Sequence, residues 1–242
     1  MSANSDETSE QKRIESEILR LLLINETPEV GSSDWLAICE LEMGGIQVGV
    51  RRNKVSEFDP RTKDQIKSGG MIGGDRMIHH NYSTIYEKYL NRFISKNINL
   101  SIIECGILMG TGLGVWSKLF PQATLVGMDI DLSHILSNME ELKKRGAFMS
   151  KKPILIEFDQ FKPSTISLQN AVGDLKFNIL IDDGFHSDET ILNTFSALQP
   201  FFAEDFVYFA EDNMSVSKKI CDLYPGYKVT SYGQMTVITS KY

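Results

Sequence analysis

From residue 99 onward, short apolar runs alternate with stretches of helical period, and this alternation constrains the fold more than any other feature. The runs are "LSIIECG", "ATLVGMDI", "PILIEFD", "FNILIDDG" and "DFVYFAED", with helix-like segments such as "GVWSKLF" and "SHILSNMEELKKRG" between them. Strands separated by helices imply βαβ units, a mainly parallel sheet and right-handed crossovers. The tail "YKVTSYGQMTVITSKY" adds two β-rich runs close together, as expected of an antiparallel pair at one edge. Five runs plus two predict a doubly wound α/β sheet of seven strands.

The part ahead of this core has a different style. Residues 1–8 read as a disordered tail, and "SEQKRIESEILRLLLI" spaces Ile14, Ile18, Leu21 and Leu22 as a helix does. "WLAICELEMGGIQVGVRR" reads as a β-hairpin turning at Met43-Gly44-Gly45, and the Pro- and Gly-bearing stretch 53–76 as an irregular connection. Ile85, Tyr89 and Phe93 then fall on one face of a helix. The expected organisation is a tail (1–8), an N-terminal helix, hairpin and lid or acceptor region (9–80), and a ligand-binding domain (81–242).

A net charge of −7 argues against a nucleic-acid surface, which needs a basic stripe. Arg51-Arg52, Lys143-Lys144-Arg145 and Lys151-Lys152 read as solvated faces. Cys39, Cys105 and Cys221 lie far apart and show no metal-ligand spacing, which argues against a disulfide framework or a zinc site. No apolar run approaches the ~20 residues of a membrane span, and the polar start has no signal-peptide pattern. A soluble, cytoplasmic protein is the expectation.

Ligands of open α/β sheets bind beyond the carboxyl ends of the strands. In "IIECGILMGTGLG" the first strand ends in Glu104, Gly106, Gly110 and Gly112, where small residues let the backbone approach a ligand. Asp129 ends the second strand, where a carboxylate can accept from two ribose hydroxyls. Asp159 and Gln160 follow the third, where they can meet an adenine edge. The Gly-x-Gly-x-x-Gly spacing of dinucleotide enzymes is absent, as is the Gly-Lys-Ser/Thr of a phosphate loop. The remaining pattern, acidic-x-Gly-x-x-x-Gly-x-Gly followed by acidic second and third strand ends, resembles the class I S-adenosylmethionine-dependent methyltransferases over residues 70–242. That resemblance implies a Rossmann-like fold, S-adenosyl-L-methionine as donor, and a donor site formed by those residues with Asp182.

Strands four and five of such a sheet are neighbours, about 4.8 Å apart. Asp182-Asp183 and Glu211-Asp212-Asn213 therefore converge, and carboxylates this close call for a positive partner, most simply Mg²⁺. A plainer reading has Asp182 and Asp212 capping helices. His186, three residues past Asp183, suits a general base near neutral pH. "DDGFH" with "AED" resembles the metal-dependent sugar O-methyltransferases that tailor macrolide antibiotics such as mycinamicin and tylosin. The resemblance implies Asp183, Glu211 and Asp212 as metal ligands and His186 as the base. "GGDRMIHHNYSTIYEKYL" resembles the same family's Gly-x-Asp-basic stretch with its His-x-Tyr, which gives His80, Tyr82 and Tyr86 an acceptor or lid role beside a helix-packing one.

The acceptor implied is a small-molecule or glycoside hydroxyl, and a homo-oligomer is implied by resemblance alone. Two rivals stay open: a catechol-type O-methyltransferase, which Asp212-Asn213 also fits, and a non-catalytic module that binds the adenosyl ligand without turnover.

Overall fold

Strand parity organises the molecule. In the computed structural model, which describes residues 3–46, 54, 56–68, 73–96 and 99–241, seven strands form one sheet in the order β3-β2-β1-β4-β5-β7-β6. These are β1 (Ser101–Cys105), β2 (Thr124–Asp129), β3 (Ile154–Glu157), β4 (Phe177–Asp182), β5 (Phe202–Ala210), β6 (Tyr227–Tyr232) and β7 (Met235–Ser240). The first five pair in parallel, and β7 runs antiparallel between β5 and β6. The expected doubly wound sheet with an antiparallel C-terminal edge is the one observed, and its order reverses between β1 and β4.

Because successive strand residues point to opposite faces, the sheet splits its apolar residues between two cores. Ile102, Ile179, Ile181, Val207 and Phe209 enter one core, together with residues of α1 (Ala3–Leu22), α2 (Ser33–Glu42), α4 (Ser83–Ile94), α5 (Thr111–Leu119) and α6 (Ser133–Lys144). Ile103, Leu180 and Tyr208 enter the other, with α7 (Thr165–Val172), α8 (Asp188–Leu198) and α9 (Val216–Leu223). A further α-helix, α3 (Lys63–Ser68), belongs to the connection before α4.

Two expectations ahead of the core are corrected. The disordered tail expected over residues 1–8 is helical from Ala3 onward, as the start of α1. The first arm of the expected hairpin is the helix α2; residues 47–52 of the second arm lie outside the described residues. The decisive signal was the N-cap: the Ser32 hydroxyl accepts from the Trp35 N–H at 3.3 Å, with Asp34 in the first turn. Leu36, Ala37, Cys39 and Glu40 then form a buried helical face that a strand could not present on one side. In α4 the fully buried stripe is Tyr86, Leu90 and Phe93, with Ile85 and Tyr89 half-buried beside it. No helix among the described residues is long and apolar enough to cross a membrane. Cys39, Cys105 and Cys221 are not joined in disulfides.

Candidate active site and metal centre

The same parity separates the two aspartates that end β4. Asp182 points with Leu180 and Tyr208 toward the α8 side, where its carboxylate accepts from the Tyr208 hydroxyl at 2.8 Å and the Gln160 amide at 2.7 Å. Burial pushes its carboxyl up to about 6 despite these bonds. Gln160 spends its other donor on Thr194 and its carbonyl on the Phe185 N–H, so its amide ties β3 to the loop after β4. Asp182 thus braces that loop from behind and is absent from the lining of the adjoining cavities, in contrast to the donor contact expected for it. Gln160 lines the first cavity with both hydrogens of its side-chain amide already engaged.

Asp183 points the other way, into a cluster built around Arg76. Arg76 is 5% exposed, and its guanidinium donates to Glu104 at 2.7 Å, Asp183 at 2.8 Å and Glu211 at 2.9 Å. Glu104 also accepts from the Trp116 indole at 3.0 Å and lies directly under Gly112, where a Cβ would come within 2.2 Å of its Oε1. Glu104 is therefore engaged behind the glycine turn, away from the cavity that turn lines. Glu211 accepts from the Tyr86 hydroxyl as well. Burial raises the carboxyls of Asp183 and Glu211, and the mutual repulsion of the acids adds to it while Arg76 opposes it. In the sequence Arg76 stands only as the basic position of a motif; its role as the cluster's counter-ion depends on tertiary contacts.

In front of this buried layer, Asp183, His186 and Asp212 each offer one ligand atom, and the three atoms lie within 4.8 Å of one another. Glu211, expected as a third carboxylate ligand, lies outside this group because Arg76 and Tyr86 hold it. The Nδ1–H of His186 donates to the Glu211 carbonyl at 3.3 Å, which leaves Nε2 bare, 3.8 Å from Asp183. Burial lowers the His186 pKa and keeps the ring neutral. Asp212 accepts from the Tyr82 hydroxyl at 2.6 Å and lies 3.2 Å from His80. Burial works against a charged His80, but Asp75 and Asp212 outweigh it and raise its pKa. His80, Tyr82 and Tyr86 thus form a second layer that grips Asp212 and Glu211. His186 (φ 65°) and Asp212 (φ 55°) adopt left-handed backbone, a strained conformation for residues with a Cβ. The donor set suits a hard divalent cation: two carboxylates and a neutral imidazole beside acids that one guanidinium leaves in excess.

Two cavities meet at this cluster, sharing Gly106, Gly184 and His186. Gly106 has φ 86°, and a Cβ there would come within 1.9 Å of the Asp183 carbonyl, so the turn after β1 can pass the loop after β4 only as glycine. Asp129 and Asp159 line the first cavity, with Ile130 and Phe185. Asp129 is fixed by the N–H groups of Leu108 and Asp131, and Asp159 by Phe161 N–H and the Ser56 hydroxyl. Gly112 lines the second cavity, while Gly110 caps the start of α5.

No family model matches the sequence. The chain is 24% identical over 148 residues to the 8-demethyl-8-alpha-L-rhamnosyl tetracenomycin-C 2'-O-methyltransferase of Streptomyces olivaceus, covering 58% of this chain and 35% of that protein. It therefore spans about a third of that relative's length. Among solved structures, the MycE methyltransferase of the mycinamycin biosynthetic pathway in complex with Mg and SAH matches with a TM-score of 0.51 at 18% identity, covering 66% of this chain and 49% of MycE. A MycE complex with Mg, SAH and mycinamycin VI matches at a TM-score of 0.49 and 19% identity, covering 65% and 49%. Sheet order, glycine turn and acidic strand ends together give this chain the Rossmann-like fold of the class I methyltransferases, in resemblance to those of the MycE type.

Proposed function

We propose that the protein transfers the methyl group of S-adenosylmethionine to a hydroxyl of a sugar or glycosylated natural product. The observation that carries this reading is the convergence of Asp183, His186 and Asp212 at the meeting point of two cavities. The name of the Streptomyces relative, a rhamnosyl 2'-O-methyltransferase, supports the glycoside acceptor. Asp129 would receive the ribose hydroxyls of the donor and Asp159 its adenine amine, with Phe185 beside the ring.

Asp183 and Asp212 would hold Mg²⁺, which when bound supplies Lewis acidity toward an acceptor hydroxyl. Tyr82 and His80 keep Asp212 oriented, and Arg76 limits the repulsion among the acids behind it. His186, neutral and bare at Nε2, takes the hydroxyl proton as the oxygen–carbon bond forms and the sulfur–carbon bond breaks. Its hydrogen bond to the Glu211 carbonyl fixes the tautomer for that task.

The test is transfer of labelled methyl from S-adenosylmethionine to a panel of glycosides and catechols. Turnover on a glycoside, reduced about 10²–10⁴-fold in His186→Ala, is expected; an unchanged rate in that variant would remove the base assignment. Turnover on catechols alone would remove the glycoside. A second reading makes His186 a third metal ligand, favoured by its place in the same cluster; it requires that His186→Ala also lose Mg²⁺ affinity.

A further inference from the structure

We infer that Glu40, on α2, is the carboxylate that receives the α-ammonium of the donor, an assignment that rests on the donor reading above. Glu40 is 2% exposed, and its Oε2 accepts from the Met77 N–H at 2.8 Å. Among the described residues no donor reaches Oε1, and Glu40 lines the second cavity together with Gly73, Gly74, Thr111 and Gly112. The other acids of that lining have cationic or polar partners: Asp183 has Arg76, Asp75 has His80, and Asp212 has His80 and Tyr82. Arg76 is committed to three other carboxylates, and Glu104, the acid expected to serve the donor, is itself among them.

A buried carboxylate without a cation is costly. Burial accordingly pushes the Glu40 carboxyl up to about 8, against the pull of the Met77 N–H and Arg76. Its surroundings are cut for close approach: a Cβ on Gly45 would come within 2.9 Å of Glu40 Cγ, and one on Gly74 within 2.6 Å of Gly45 Cα. An amino-acid headgroup supplies the missing positive charge, and its own carboxylate faces the first turn of α5 at Thr111 and Gly112, the favourable end of a helix dipole. Since this cavity joins the Asp129 and Asp159 cavity at Gly106, one extended molecule can span both.

The test compares two ligands on two proteins by calorimetry. S-adenosylhomocysteine carries the headgroup; 5′-methylthioadenosine lacks it. Glu40→Gln keeps the shape and the acceptor for Met77 and removes the charge. S-adenosylhomocysteine is expected to weaken about tenfold or more in Glu40→Gln, while 5′-methylthioadenosine binds both proteins alike and so reports an intact fold. The deaminated analogue of S-adenosylhomocysteine should also bind both proteins alike. Equal changes for both ligands, or no change for either, would overturn the assignment. Wild-type protein that binds neither ligand would overturn the donor reading itself.

Discussion

At the scale of single residues, Arg76 holds Glu104, Asp183 and Glu211 from positions 28, 107 and 135 residues away in the chain. Removing one partner of a buried ionic set strands the others, at about 3–5 kcal/mol. Arg76→Met is expected to lose that much stability in urea unfolding. Without the cation the acids hold protons more tightly folded than unfolded, so the deficit narrows as the pH falls. A loss below about 1 kcal/mol, the range of an exposed pair, would contradict the picture of a single counter-ion. This layer was the least legible in the sequence. "DDGFH" and "AED" announced a site, but nothing in their spacing said that a distant arginine balances it or that Tyr82 and Tyr86 close on Asp212 and Glu211. The division of labour between Asp182 and Asp183 was open to simple counting: alternation from Ile179 onward sends Asp182 to the face of Leu180 and Tyr208 and Asp183 to the other.

Among the elements, the strands were easier to read than the segment ahead of them. Each core strand is an apolar run ended by an acid or a glycine, so its position and its functional end were both visible. Residues 33–42 are harder to read because a short run of mixed apolar residues serves either period, and only the Ser32 cap decides between them. The cap is therefore a direct test of why this segment is a helix. Ser32→Ala should destabilise the protein by about 0.5–2 kcal/mol, seen as a lower urea midpoint with an unchanged slope. No shift would mean that packing of Leu36, Ala37 and Cys39 alone fixes α2. Function depends on the answer, since α2 carries Glu40 into the second cavity.

For the molecule as a whole, the sheet order places the ends of β1, β4 and β5 side by side, and the acidic residues follow from that placement. The −7 net charge finds a local counterpart here: Glu104, Asp183 and Glu211 gather around one buried arginine, and Asp75 and Asp212 lie beside them at His80. This excess would hold a divalent cation beside the bound donor. Calorimetric titration of Mg²⁺ into protein saturated with S-adenosylhomocysteine tests it most directly, with Asp183→Asn alongside. One ion bound per chain, and lost in Asp183→Asn, is the expected result. Donor-loaded wild-type protein that takes up no Mg²⁺, or a variant that binds it as well as the wild type, would contradict the claim.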